Sequence, residues 1–272
     1  MVWRIAAASA IGTSHIKMGL PCQDSVGVRL LDAIDGAVLV CVISDGAGSA
    51  AYAELGSRTA VNTSIQLISD FFETGGIVSE IEKEVAAGWL TEIQSAITKL
   101  AEEAGSTPRE FACTLMIAII ATETATFIQV GDGAMVASSE ESEEWYYVFW
   151  PQHGEFANST NFVTSRDAAE VMDFENENRQ IVDFAAFSDG IENLVLHSAT
   201  RTVYAPFFNA MLGPVQQLLN PGLDSVLSDG LSKYLNSNSV CERTDDDKSL
   251  VLASRKSITI QSASDACPSC TS

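Results

Sequence analysis

The chain has 272 residues, 46% of them hydrophobic and 19% charged, enough to bury one large core. Its 36 acidic residues outnumber 15 lysines and arginines, for a formal net charge of −21. Such a surface repels phosphate backbones and anionic lipid, so nucleic acid and membrane are set aside as partners.

The longest apolar runs, 37–43 and 111–121, fall short of the roughly 20 residues that cross a bilayer. The opening MVWRIAAASAIG is a short, broken apolar run without a signal-cleavage pattern, so a cytoplasmic location is expected. Four of the six cysteines, Cys22, Cys41, Cys113 and Cys241, stand singly, which gives no disulfide framework. The pair Cys267 and Cys270 supplies only two of the four ligands of a structural zinc site. A single domain over 1–256, followed by a flexible tail over 257–272, is the expected organisation.

In chain order, 37–43 (AVLVCVI) reads as a buried strand, being rich in β-branched residues and free of polar ones. Two helical periods follow. Val61, Ile65, Ile68 and Phe72 form the first, and Ile81, Val85, Trp89, Ile93, Ile97 and Leu100 the second, each laying one apolar face on a sheet. Segment 113–121 (CTLMIAIIA) is a second buried strand. Shorter strands are expected over 124–130, 135–139 and 145–149, with the acidic EESEE at 140–144 as a solvated hairpin tip. From 151 to 178 the pattern is polar and irregular, and 181–187 (IVDFAAF) is a third buried strand. Segments 203–219 and 225–235 read as helices around the break NPG at 220–222, before a last strand at 250–253. Elements grouped in this way predict an α+β layered fold and not a doubly wound sheet.

Three of the expected strands run into Asp-Gly, at Asp45, Asp132 and Asp189, and the triplet Asp245, Asp246 and Asp247 precedes the last strand. One Asp-Gly is an ordinary tight turn. Carboxylates at so many strand ends are costly unless paired or bound to a cation, and few basic residues lie near them in sequence. Converging from strand ends, they would form an all-oxygen site suited to Mg²⁺ or Mn²⁺ and not to zinc or copper. Ser228-Asp229-Gly230 has the same letters, but it lies in a helical pattern with no buried strand before it, and it is assigned no chemistry.

Taken in order, GTSHIKMGLPCQDS (12–25), SDGAGSA (44–50), FACTLMIAI (111–119), GDGA (131–134), GEFANSTNF (154–162), SDGIENL (188–194) and DDKSLVLA (246–253) resemble one family. It is that of the metal-dependent serine/threonine protein phosphatases of the 2C (PPM) type, in particular their compact bacterial branch. The resemblance implies an α-β-β-α sandwich, two packed antiparallel β-sheets flanked by helices, with a binuclear Mn²⁺ or Mg²⁺ centre at one end. It implies that Asp45 bridges both ions, that the Gly46 carbonyl completes one shell, and that Asp189 and Asp246 hold the other ion. Asp132, with Asp189, would take a third, weaker ion. Asp24 would stand behind them, hydrogen-bonding metal-bound water. The implied reaction is hydrolysis of phosphoserine or phosphothreonine in a protein substrate by a water shared between the metals, in partnership with a kinase or its target.

Three departures separate the chain from that pattern. Gln23 stands where the family often has glutamate, and Ala47 where eukaryotic members carry an acidic histidine. Gly19 replaces the arginine that grips the substrate phosphate, which leaves that role open to His15 or Lys17. The missing arginine also leaves a second reading open, a catalytically weak or inactive phosphatase-fold module that binds or senses in a kinase–phosphatase system. A haloacid-dehalogenase-like phosphatase is disfavoured because SDGAG lacks the second aspartate of Asp-x-Asp. His153 and His197 are expected in solvent or structural roles, and Thr114 to pack in its strand. Glu155, Asn158 and Thr160 suit a substrate groove or a turn equally well.

Overall fold

A strand that is apolar at every position is buried on both faces, because successive side chains point to opposite sides. The computed structural model, which describes residues 2–34, 36–142, 144–152 and 160–256, builds its layers from such strands. His153, Glu155 and Asn158, the Glu143 position of the acidic tip, and the expected tail with Cys267 and Cys270 lie outside the described residues.

The chain begins with β1 (Arg4–Ala10), α1 (Thr13–Met18), β2 (Ser25–Ala33) and β3 (Gly36–Ser44). Two long helices, α2 (Ala53–Glu73) and α3 (Lys83–Glu103), precede β4 (Leu115–Ile120), β5 (Thr124–Val130), β6 (Ala134–Ser139) and the short β7 (Tyr146–Tyr147). Then come α4 (Ala168–Val171), β8 (Asp173–Asn178), β9 (Ile181–Phe187), α5 (Glu192–Val195), β10 (Leu196–His197) and β11 (Thr202–Val203). Helix α6 (Ala205–Gln216), β12 (Gly222–Leu223), α7 (Ser225–Leu235), α8 (Asn238–Cys241) and β13 (Lys248–Ser254) complete the order.

One sheet has the order β2-β3-β4-β5-β8 and the other β12-β1-β13-β9-β6-β7. Neighbours within both are antiparallel, save that β12 joins β1 in parallel with Arg4 opposite Gly222. Along β3, Val38, Val40 and Val42 pack under α2 and α3, while Leu39, Cys41 and Ile43 pack against the second sheet. On β13, Val251 and Ala253 join that central layer, and Leu250 and Leu252 meet Phe208 and Leu212 of α6 and Leu231 of α7. The result is the expected helix–sheet–sheet–helix sandwich. Each large aliphatic side chain held this way contributes about 1.5–3 kcal/mol, which fixes the register on which the strand ends depend.

Several boundaries differ from expectation for identifiable reasons. The helix expected over 203–219 starts only at Ala205, because Thr202–Val203 pairs with Leu196–His197 and Pro206 occupies the first turn. The strand expected over 145–149 pairs only at Tyr146–Tyr147. β8, DFENEN, reads as irregular in sequence because it is a polar edge strand. Its Asn176 amide donates to the carbonyls of Val78 and Ile81 and to Thr126 Oγ1, stitching the strand to the turn before α3.

Candidate metal centre at one end of the sandwich

Strands β3, β5 and β9 end, and β13 begins, at the same edge of the sandwich. Ile43 stands opposite Met116, Val130 opposite Leu115, and Phe187 opposite both Ala134 and Leu250. The register therefore delivers Asp45, Asp132, Asp189 and Asp246 to one cavity of about 150 Å³, which His15, Gly46 and Thr114 also line.

Each loop is held by its own backbone. The Asp45 N–H donates to Thr114 Oγ1 at 3.0 Å, and the Asp45 carbonyl accepts the Thr114 N–H at 2.8 Å. Thr114 is thus more than strand packing: its hydroxyl holds the backbone of Asp45. The Gly46 N–H donates to the Gln23 carbonyl at 3.2 Å, and a Cβ at Gly46 would come within 2.8 Å of Ala53. A Cβ at Gly190 would stand 1.8 Å from the Asp247 carbonyl oxygen, so only glycine lets the loops of Asp189 and Asp246 touch. Thr160 donates its hydroxyl to Asp132 Oδ2 and lines the cavity, which places it with the groove residues and not in an isolated turn.

Asp247 is the functional-site residue that the sequence pattern hides. Its buried carboxylate accepts the N–H groups of Gly12 and Gln23, each at 2.5 Å, and lies 3.0 Å from His15 Nδ1. It ties α1 to the acidic loops and fixes the ring that reaches the cavity. The one available signal was its place in the Asp245–Asp247 triplet. Asp24 is buried behind the cavity wall, where Ser188 donates to its Oδ2 at 2.8 Å. Lys17 is exposed and outside the cavity lining. Asp229 is exposed on α7, away from the cluster, and His197 is exposed with its ring 5.5 Å from that of Tyr204.

The electrostatics are those of like charges forced together. Burial raises the Asp45 carboxyl well above the ordinary carboxylate range, and the charges of Asp24, Asp189 and Asp246 add to it. Asp189 is pushed up to about 7, first by burial and then by Asp132 and Asp246. Asp24 is pushed up to about 6 by burial, against hydrogen bonds from Ser249 and Ser188. Asp189 Oδ1 is buried with no hydrogen-bond partner. Among the described residues, no three acidic, histidine or cysteine side chains already stand arranged around one point. The donor set nevertheless fits a hard divalent cation: it is all oxygen, self-repelling, and includes an unpartnered buried carboxylate atom on a residue that lines the cavity.

Carboxyls whose native values lie above their unfolded ones hold protons that the unfolded chain has released, so their contribution weakens as pH rises from about 4 to about 7. In chelator, the midpoint of thermal unfolding is expected to fall across that window, and less steeply in Asp189→Asn. A midpoint that climbs, or an identical slope in the variant, would contradict the shifts at Asp24 and Asp189.

Comparison with known proteins decides the family. The protein phosphatase 2C family model matches residues 11–241. The chain belongs to the protein phosphatase 2C family. Serine/threonine-protein phosphatase 3 of Escherichia coli (strain K12) is 32% identical to this phosphatase over 254 residues, covering 93% of this chain and 98% of that protein. The fold is shared with Stp1 from Staphylococcus aureus, at a TM-score of 0.59 and 14% identity over 94% of this chain and 96% of that one. It is shared also with RsbX in complex with magnesium, at a TM-score of 0.54 and 14% identity over 93% and 95% of the two chains. The protein is a metal-dependent phosphoprotein phosphatase, and its reading as an inactive binding module is not favoured. No helix among the described residues is long and apolar enough to cross a membrane.

Proposed function

We propose that this phosphatase hydrolyses phosphoserine or phosphothreonine in a protein substrate at a pair of Mn²⁺ or Mg²⁺ ions held by Asp45, the Gly46 carbonyl, Asp189 and Asp246, with Asp132 and Asp189 at a weaker third position. The observation that carries this is the delivery of four self-repelling carboxylates to one cavity by the ends of four strands. When bound, such ions acidify water towards neutrality and neutralise phosphoryl oxygens during in-line attack. The name of the Escherichia coli relative supports serine and threonine as targets, and the magnesium in RsbX supports the choice of ion.

The chain's own groups position and shield. Thr114 holds Asp45, Thr160 orients Asp132, and Asp24, bonded to Ser188 and in contact with Asp45, keeps the inner wall polar. Asp247 lies 3.0 Å from His15 Nδ1 and holds the ring beside the cavity that His15 lines. His15 rather than the exposed Lys17 therefore takes the place of the missing arginine, on a phosphoryl oxygen or on the leaving oxygen. Residues 1–256 act as one catalytic domain, in the cytoplasm, opposite a kinase whose product or own phosphosites are the substrate.

Turnover of a phosphothreonine peptide that needs Mn²⁺ and stops in chelator tests the reading; equal turnover in chelator would defeat it. His15→Ala is expected to lower kcat/KM about tenfold with bound metal unchanged. Unaltered efficiency would remove His15 from the reaction, and lost metal would make it a support of the ion site instead.

A further inference from the structure

A second groove, of about 530 Å³, adjoins the metal cavity and shares Ala47 and Phe162 with it. Two of its walls carry arginines, Arg109 and Arg166, in a chain with only 15 lysines and arginines and a net charge of −21. Both are exposed, and among the described residues neither guanidinium has a hydrogen-bond or ion-pair partner. The acidic residue of the same groove, Glu110, is engaged: its Oε2 accepts the Ala51 N–H at 3.0 Å.

Both arginines stand on fixed frames. Arg109 belongs to the 3-10 turn Pro108–Phe111, pinned by the fully buried Phe111, which stacks on Tyr52 at 4.9 Å, and by the Tyr52 N–H on the Glu110 carbonyl at 2.8 Å. Arg166 follows a loop tied to β4's approach by the Val163 N–H on the Cys113 carbonyl at 2.8 Å, and to α3 by the Gln94 amide on the carbonyls of Val163 and Ser165 at 2.7 and 3.1 Å. Two unpartnered forks on rigid backbone beside a catalytic cavity form a receptor for a planar or tetrahedral anion. Neither arginine lines the metal cavity itself, so the anion they meet is not the phosphate being hydrolysed.

We propose that Arg109 and Arg166 form a specificity subsite for a second anionic group of the phosphoprotein, a carboxylate or another phosphate flanking the phosphoresidue in the metal cavity. In a strongly acidic enzyme this subsite offsets the long-range repulsion of acidic substrates and sets the register of the peptide across Phe162. The inference rests on the reaction proposed above, and its test separates the two.

Steady-state kinetics with Mn²⁺ would compare phosphothreonine peptides that differ only in the flanking residues, neutral, acidic or phosphorylated, alongside p-nitrophenyl phosphate. For the wild-type protein, kcat/KM is expected to be at least about tenfold higher for an anionic flank than for the neutral one, the gain shrinking with added salt. In Arg109→Glu/Arg166→Glu that preference is expected to vanish or reverse, while p-nitrophenyl phosphate turnover is unchanged. Whether acidic or phosphorylated flanks gain more assigns the subsite to carboxylate or phosphate, and either gain supports it if the variant loses it. An absent preference, or one that survives in the double variant, overturns the subsite. Loss of p-nitrophenyl phosphate turnover in the variant would place the arginines on the reacting phosphate and also overturn it. A wild-type protein inert towards p-nitrophenyl phosphate would instead defeat the proposed reaction.

Discussion

Asp45→Asn is expected to remain folded and to lose turnover by roughly a thousandfold or more, with loss of bound ion. Asparagine preserves the size of the side chain and the backbone bonds to Thr114, so β3 and its loop keep their place. The charge is what disappears. Asp45 is the carboxylate against which Asp24, Asp189 and Asp246 all press, so it is the group from which a cation between them gains most. For the same reason the ion-free variant should be at least as stable as the ion-free wild type, because one buried like charge has gone. Metal analysis and kinetics on the same preparation check the pair of outcomes. Near-normal turnover with Mn²⁺ present would end the reading of Asp45 as the central ligand.

Gly190→Ala is expected to cost about 3 kcal/mol of stability and to weaken ion binding at the same time. The added methyl would meet the Asp247 carbonyl oxygen at 1.8 Å and Lys248 Cγ at 3.3 Å. The nearest obstacle is backbone, so no rotamer change relieves it. Relief requires the loops after β9 and before β13 to part, which separates Asp189 from Asp246 and loosens the Ser249 N–H from Ser188 Oγ, now at 2.9 Å. Gly230→Ala is the matched control, since that glycine ends the look-alike Ser-Asp-Gly on α7 and a Cβ there meets nothing within 4 Å. Helix propensity favours alanine there by up to about 1 kcal/mol. Thermal unfolding of the two variants should therefore move in opposite directions; equal shifts would show that the close approach at Gly190 is not what holds the acidic loops.

The parts of this fold that sequence pattern reveals are those buried on both faces. Segments 37–43, 113–121 and 181–187 are apolar at nearly every position because one side packs under helices and the other between sheets. β1 pairs along its whole length with β13, yet RIAAASA carries little signal, because alanines fill a place where α7 presses close. β8 is hidden for the opposite reason, since an edge strand satisfies polar side chains such as Asn176. At the site, Asp45, Asp132 and Asp189 are legible as Asp-Gly turns that repeat at strand ends, and the Asp245–Asp247 triplet as acids before the last strand, from which only the family resemblance singles out Asp246. Asp247 is not legible as a site residue, because its value lies in long-range contacts with Gly12, His15 and Gln23 that no local pattern announces. Lys17 shows the converse limit: proximity in the loop sequence suggested it, but α1 turns it outward to solvent.

Calorimetric titration of the chelator-treated protein with Mn²⁺, near pH 7 and in buffers of differing ionisation heat, tests most directly whether the strand-end carboxylates are the ion site. The wild type is expected to bind about two ions tightly and to release protons as it does so, because Asp189 is raised to about 7 and Asp24 to about 6 without an ion. Asp189→Asn should bind fewer ions and release fewer protons. A wild-type protein that takes up no Mn²⁺, or an Asp189→Asn variant whose stoichiometry and proton release match it, would contradict the assignment.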